Sequence, residues 1–262
     1  MLKLSHISKT FFKGTQNEKI ALLDVSLTLE DGDFCTVIGG NGAGKSTLLN
    51  TIAGAFIPDE GTVMLNDKDV TKTSEYKRAK YIGRVFQDPL KGTAAGMQVE
   101  ENLLLAFRRG ESRRLRWAFN KDNHQQFKDM VERLDLGLED RLETRMGLLS
   151  GGQRQALTLL MATLKKPEVL LLDEPTAALD PKTAAKVLKI TDDVIREQHL
   201  TALMITHNMR DALAYGNRLI MMSNGKIVAN YTAEEKKSLT IDMLLKKFEE
   251  ADGTVSDRMA LG

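Results

Sequence analysis

The chain has 262 residues, the length of one large domain or of a core with a small subdomain. Its 37 Lys and Arg stand against 36 Asp and Glu, leaving a formal charge of +1 and no global field with which to gather a nucleic-acid backbone. At 42% hydrophobic residues it is too apolar to be a disordered polyelectrolyte.

In chain order, Leu2, Leu4 and Ile7 open a first predicted strand, which a polar turn over 13–19 separates from the next. There Leu23, Val25, Leu27 and Leu29 alternate with Asp24, Ser26 and Thr28, the period of two that marks a half-buried strand. After the turn at Asp31-Gly32, the apolar run Phe34-Cys35-Thr36-Val37-Ile38 feeds a glycine-rich loop and then Ser46-Thr47-Leu48-Leu49, which predicts strand, loop and helix. Thr62-Val63-Met64-Leu65 reads as a strand ending at the turn Asn66-Asp67. Beyond about Asp88 the texture becomes helical, over 99–107 and 123–136, with Met130, Val131, Leu134 and Leu138 at helix-face spacing. A helix after Ser150 precedes Pro167 and the strand Val169-Leu170-Leu171-Leu172, and a helix over about 181–198 precedes the strand Thr201-Ala202-Leu203-Met204-Ile205. Segments 218–222 and 226–230, joined through Ser223-Asn224-Gly225, predict a hairpin, and Ile241, Leu244, Leu245 and Phe248 a last amphipathic helix. Continuous apolar strands alternating with helices predict an α/β fold around a buried, mostly parallel sheet, with a helical insertion over about 89–160.

Gly39-Gly40-Asn41-Gly42-Ala43-Gly44-Lys45-Ser46 satisfies G-x-x-x-x-G-K-[ST]. Glycines let the backbone close round a phosphate without Cβ clashes, and the helix that follows adds partial positive charge at its N-terminus. Gly39, Asn41, Gly42, Ala43, Gly44, Lys45, Ser46 and Thr47 are therefore the expected nucleotide-binding residues. Lys45 supplies a point charge to the outer phosphates and Ser46 an oxygen to Mg²⁺. Asp173 and Glu174 end the apolar strand, where two carboxylates are costly unless a cation or a water-filled site receives them. Asp173 suits the Mg²⁺ shell and Glu174 the attacking water, as general base or positioner.

Leu149-Ser150-Gly151-Gly152-Gln153 stands just before a helix, with Ser150 as N-cap, and makes a second anion-receptive terminus. One γ-phosphate does not need two complete cradles from a single chain; the economical geometry is a head-to-tail pair in which Ser150, Gly151, Gly152 and Gln153 close on the partner's nucleotide. Here the chain resembles the ATP-binding cassette (ABC) transporter ATPases, for which L-S-G-G-Q is the signature. The resemblance runs from about residue 2 to 230. Gln87 in Val85-Phe86-Gln87-Asp88 matches the Q-loop that feels Mg²⁺, and Asp180 in Ala177-Ala178-Leu179-Asp180 the D-loop that crosses the dimer interface. His207 matches the switch histidine at the γ-phosphate, and Phe11, with Phe12 as the fallback, the aromatic that stacks on adenine. Phe11 replaces the usual Tyr, Ala177 the usual Ser and Ala156 a frequent basic residue, departures that bear on subfamily and interface rather than on phosphate chemistry.

The resemblance implies the P-loop NTPase fold of ABC ATPases: a mixed, mostly parallel sheet with an N-terminal antiparallel β portion and a helical subdomain. A domain over 1–250 divides into a nucleotide-binding core (1–88 and 161–250) and a signature subdomain (89–160), with a tail at 251–262. It implies catalytic roles for Glu174, His207 and Gln87, Mg²⁺ ligation by Ser46, Gln87 and Asp173, and ATP hydrolysis by an ATP-bound homodimer. With no membrane span in the chain, the load is expected on separate transmembrane permease subunits and, indirectly, an extracytoplasmic substrate-binding protein. The resemblance thus implies a chain in the cytoplasm, peripheral on the inner face of the cell membrane. Gly83-Arg84-Val85-Phe86-Gln87-Asp88-Pro89, Glu100-Glu101-Asn102-Leu103 and Asp257-Arg258-Met259 resemble, more narrowly, bacterial importer ATPases of tryptophan- or tyrosine-type amino-acid uptake systems. The alternative is a soluble ABC ATPase of nucleic-acid repair or translation, but such relatives usually carry tandem cassettes or a long coiled coil, and no nucleic-acid partner is expected.

Elsewhere the chain reads more plainly. The single Cys35 excludes an intrachain disulfide and a Cys-rich zinc site and reads as core; His6, His124 and His199 read as surface or packing residues, and Met204, Met221 and Met222 as sheet core. Arg108, Arg109, Arg113, Arg114 and Arg116, beside Trp117, need no more than a solvated face; contact with lipid headgroups or a membrane partner is the functional alternative. The first residues lack the apolar core of a secretory signal, and nowhere do about 18 apolar residues run together.

Overall fold

The computed structural model describes residues 1–111 and 121–252. Arg113, Arg114, Arg116 and Trp117, and Asp257-Arg258-Met259 in the tail, lie outside the described residues.

Two sheets sandwich one helix. Strands β1 (Leu2–Phe11), β2 (Lys19–Leu29), β4 (Glu60–Leu65) and β5 (Lys68–Asp69) form an antiparallel sheet in the order β2-β1-β4-β5. Strands β3 (Phe34–Gly39), β6 (Ile82–Val85), β7 (Val169–Asp173), β8 (Ala202–Ile205), β9 (Arg218–Ser223) and β10 (Lys226–Tyr231) form the second, in the order β10-β9-β3-β8-β7-β6. Its strands run parallel except for β10, the return arm of the predicted hairpin. Asn224 and Gly225 both take positive φ (47° and 76°), as a two-residue turn matched to the strand twist requires.

Helix α1 (Lys45–Ala53) lies between the sheets: Leu48, Leu49 and Ile52 pack with Leu4 and Ile7 of one and with Val37, Leu171 and Leu203 of the other. Leu170, Leu172 and Met204, adjacent to those last residues, point to the opposite face and meet Leu159, Leu188 and Ile195. Burial on both faces is why these strands read as unbroken apolar runs. That second face is covered by α5 (Gly151–Thr163) and α6 (Pro181–Glu197). A separate cluster holds Val99 and Leu103 of α3 (Val99–Phe107), Phe127 and Val131 of α4 (Lys121–Glu132), and Leu157 of α5. The short α2 (Glu75–Arg78), α7 (Met209–Ala214) and α8 (Ala233–Lys236) carry no periodic signal of their own; α9 (Ile241–Asp252) packs through Leu244 and Phe248. Among the described residues no helix is long and apolar enough to cross a membrane.

The structure departs from the sequence reading at three places. Arg109, read with a solvated face, is half-buried and donates to the carbonyls of Ala162 (3.1 Å) and Lys165 (2.6 Å). On β2 the fold buries Leu22, not Leu23, which is 38% exposed. Val25 pairs with Ile7 but Leu22 with Lys9, so β2 carries an extra residue there, with Asp24 at φ 53°; β1 carries its own between Leu4 and Ile7, with His6 at φ 52°. A bulge of one residue flips every side chain beyond it to the other face. The amides these two bulges free go to side chains: His6 N–H donates to Ser26 Oγ (2.9 Å) and Asp24 N–H to Ser8 Oγ (3.1 Å). The helix expected over 123–136 ends at Glu132, because Asp135 and Gly137 turn left-handed (φ 51° and 63°). Leu134 and Leu138 still reach the core from this turn, which Lys186 of α6 holds through the Asp135 carboxylate at 2.9 Å.

Arg78 secures the far end of α1. It is fully buried and donates to the carbonyls of Thr51 (2.8 Å), Ile52 (2.7 Å), Thr71 (2.9 Å) and Thr73 (2.8 Å). Burial brings its guanidinium down to about 10, still charged at neutral pH. Arg78→Met takes a donor from four carbonyls, of which Thr51 O keeps the Gly54 N–H (3.2 Å), and an expected loss of about 3 kcal/mol is read as a lower urea midpoint at unchanged m-value.

Cys35 is fully buried core, as read, and burial pushes its thiol up to about 12. Since the thiolate is the nucleophile, Cys35 should not react with a disulfide reagent in the native protein and should titrate as one thiol in guanidinium. Rapid native labelling would contradict this placement.

Candidate functional site

The glycine-rich loop leaves the sheet at its centre, where β3 ends between β8 and β9. A Cβ on Gly39 would stand 2.4 Å from the Met222 carbonyl oxygen of β9, so only glycine fits. Gly44 is at φ 99°, and a Cβ there would stand 2.4 Å from the Ala21 carbonyl of β2. The β9–β10 turn closes the other side: Gly225 N–H donates to Ala43 O (3.1 Å), and Leu23 N–H to Gly225 O (2.9 Å). Both sheets thus clamp the loop.

Helix α1 begins at this loop with no side-chain cap and no acidic residue in its first turn. The contrast with its neighbours is direct: Ser150, Asp180, Asn208 and Thr232 cap α5, α6, α7 and α8. The free N–H groups and positive end of α1 are left for an anion. Lys45 lies beneath, 6% exposed, donating to Gly39 O (2.7 Å) and Gly40 O (3.0 Å). Burial lowers its ammonium below the usual lysine range, against the opposing pull of Glu174 and Asp173.

The two acids come from the end of β7. Burial, and then the Glu174 charge, raises the Asp173 carboxyl, against the opposing charges of Arg84, Lys45 and Lys91. Glu174 takes φ 47°, continues the ladder by donating its N–H to Ile205 O (3.1 Å), and places Oε1 2.5 Å from Nε2 of His207. Because β7 and β8 are neighbours, residues 33 apart in sequence meet at the same sheet end. With the exposed Ser46 hydroxyl, Asp173 offers the hard oxygen donors that suit Mg²⁺.

A cleft of about 300 Å³ brings together Phe11, Asn41, Gly42, Ala43, Gly44, Lys45, Ser46, Thr47, Glu174 and His207. Gly39, whose carbonyl Lys45 holds, and Asp173 are not on the lining. Phe11 is half-buried, its ring edge-on to Phe56 at 5.1 Å, whereas Phe12 is 70% exposed and not on the lining. Lys19, to which no motif points, also lines the cleft, because the β1–β2 register pairs it with Phe11.

Five predicted residues lie outside this cleft along with Gln87. Gln87 is exposed in the turn after β6. Ser150 accepts from Gln153 N–H and Gln153 Oε1 from Ser150 N–H, both at 3.2 Å, a closed capping box. Gly151 is exposed, and Gly152 is pressed so closely on α6 that a Cβ would stand 2.1 Å from Thr183 Cγ2. Asp180 caps α6 by accepting from Thr183 N–H (3.1 Å), and Thr183 holds its carboxyl below the usual range.

Comparison with known proteins gives one consistent result. The ABC transporter family profile matches residues 22–177. A tyrosine transport ATP-binding protein of Clostridioides difficile is 43% identical over 252 residues, 96% of this chain and all of that protein. The ABC transporter ATP-binding protein YxdL of Bacillus subtilis is 32% identical, over 98% of this chain and 96% of its own length. Among solved structures, the dimeric ATP-binding cassette MJ0796 in a post-hydrolysis state with ADP and Pi matches at a TM-score of 0.76 and 27% identity, covering 89% of this chain and 99% of that one. A nucleotide-free ATP-binding cassette from an ABC transporter matches at 0.76 and 28%, covering 100% and 99%.

Proposed function

The chain belongs to the ABC transporter ATPase family, and from that premise we propose that it works as a head-to-tail pair, driving separate membrane permease subunits that take up an amino acid of the tyrosine type. It is an ATP-hydrolysing transporter cassette, and its fold is that of the ABC cassettes. One observation carries the rest of the reading. The uncapped start of α1, Lys45, Glu174 and His207 share a cleft, while Ser150, Gly151, Gly152 and Gln153 of the same chain stand outside it.

Phe11 stacks on the base, and the loop N–H groups from Asn41 to Thr47 receive the phosphates. Lys45 swings from the Gly39 and Gly40 carbonyls to the outer phosphates. Ser46 and Asp173, joined by Gln87, would hold Mg²⁺, which when bound neutralises charge on the phosphate oxygens. Glu174 orients the attacking water and accepts its proton; His207 holds the Glu174 carboxylate and faces the γ-phosphate. The partner's signature loop closes the site, with Asp180 at the interface, and excluding water strengthens every charge contact inside.

The solute rests on likeness, since the 43% identical relative is a tyrosine transport ATP-binding protein; the extracytoplasmic binding protein, not this chain, would select it. Purification from gently solubilised membranes tests the reading. A retained permease with ATP-dependent tyrosine uptake in vesicles supports it, at the inner face of the membrane. Bound RNA or DNA with no membrane protein overturns it.

A further inference from the structure

Between the phosphate loop and the signature helix lies a junction that neither motif accounts for. Arg84, on β6, has a side chain only 13% exposed. Its guanidinium donates to Asn50 Oδ1 near the C-terminal end of α1 (2.6 Å) and to Glu75 Oε1 of α2 (3.0 Å), and stacks 4.4 Å from the centre of the Phe86 ring. Phe86 in turn accepts, at its carbonyl, the Nε2–H of Gln155 of α5 (3.1 Å). Gln155 is 1% exposed and lies one turn into the helix that Ser150 caps.

The turn after β6 has little freedom between these holds. A Cβ on Gly92 would stand 2.9 Å from Thr158 Cγ2 of α5 and 3.4 Å from the Phe86 ring. Arg84 Nε and Gln155 Oε1 are buried and find no partner among the described residues. Buried orphans are rare and costly, and both of these belong to the two side chains that hold Phe86. At the other end, α1 is nine residues, a rod about 13 Å long, with the phosphate loop at its start and Asn50 near its end.

We propose that Arg84 and Gln155 are positioning residues that grip Phe86 from two sides, so that a nucleotide on the phosphate loop sets the position of the same subunit's signature helix through α1, Arg84, Phe86 and Gln155. The proposal rests on the reading of the cleft and the signature loop given above. It assigns the coupling to buried side chains beside Gln87, independently of what the exposed Gln87 side chain touches.

Hydrogen exchange, followed by mass spectrometry on dilute protein with and without Mg²⁺ and a non-hydrolysable ATP analogue, tests it. In the unmodified chain, peptides over 45–53 and over 149–156 should both slow on nucleotide addition. In Arg84→Met and in Gln155→Leu the first response remains, while the second falls at least about fivefold, the lower end of ordinary coupling between sites. The double variant should be no worse than either single one, because both cut the same link. Arg84→Lys, which keeps a cation over Phe86 but not the two-pronged grip, should retain part of the response. A full 149–156 response in both single variants, or additive losses, overturns the proposal. So does an unmodified chain in which 45–53 responds and 149–156 does not, and that outcome leaves the nucleotide site standing. Absence of any response at 45–53 in the unmodified chain removes the nucleotide site itself, and the junction with it.

Discussion

Glu174→Gln is expected to bind ATP undiminished and to lose about 10²–10⁴ in turnover, the usual contribution of a positioned base. The structure makes this substitution clean. Glu174 is held by its own N–H on Ile205 O and by a 2.5 Å contact with His207, and glutamine can keep both, since a neutral imidazole pairs with either end of an amide. What disappears is the ability to accept a proton and the negative charge beside the phosphates. Phosphate release should therefore fall in kcat with little change in KM, the pattern of an interaction made only in the transition state. Equilibrium dialysis should show ATP bound as tightly as before, and gel filtration with ATP should show pairs accumulating. Undiminished hydrolysis would remove Glu174 from its role.

Lys45→Ala and Ser150→Arg should each be inactive alone and recover activity when mixed. Lys45 is the buried cation beneath the loop, and its loss removes a charge that both Asp173 and Glu174 feel. Ser150→Arg removes the cap, worth about 1 kcal/mol, and sets a bulky side chain where the partner's phosphate is to be met. Neither defect lies on the surface that carries the other, because the cleft contains Lys45 and none of residues 150–153. In a mixed pair, one site combines an intact phosphate loop with an intact signature loop. Random pairing of equal amounts predicts recovery to about one quarter of the unmodified activity if the two sites act independently. No recovery, with mixed pairs demonstrated by differential tags, would count against head-to-tail closure.

How far these residues are legible without coordinates depends on how local their physics is. The phosphate loop is nearly all local: glycines at fixed offsets, a strand before and a helix after. Asn224-Gly225 is local too, since two adjacent positive φ angles define the turn. The carboxylates at the end of β7 announce themselves because charge following a buried apolar strand demands a reason. By contrast, Leu22 and Leu23 are indistinguishable in hydrophobicity, and only the β1–β2 register, shifted at His6 and Asp24, decides which is buried. The end of α4 is hidden for a similar reason, because Leu134 and Leu138 keep helical spacing while reaching the core from a turn.

Sequence alone therefore determined the family, and set the expectation of phosphate chemistry at the glycine-rich loop and of a second set of groups at Ser150–Gln153, because each is written in residue types at short, fixed spacing. Tertiary structure alone decided that Glu174 meets His207, that Lys19 joins Phe11 at the cleft, that Arg78 is buried under α1, and that Arg84 and Gln155 hold one phenylalanine between them. Those contacts follow from strand order and the packing of α1 and α5 against the sheets. Most join residues tens of positions apart, 33 between Glu174 and His207 and 69 between Phe86 and Gln155, a separation across which no pattern along the chain can carry, while the meeting of Lys19 with Phe11 depends on the β1–β2 register.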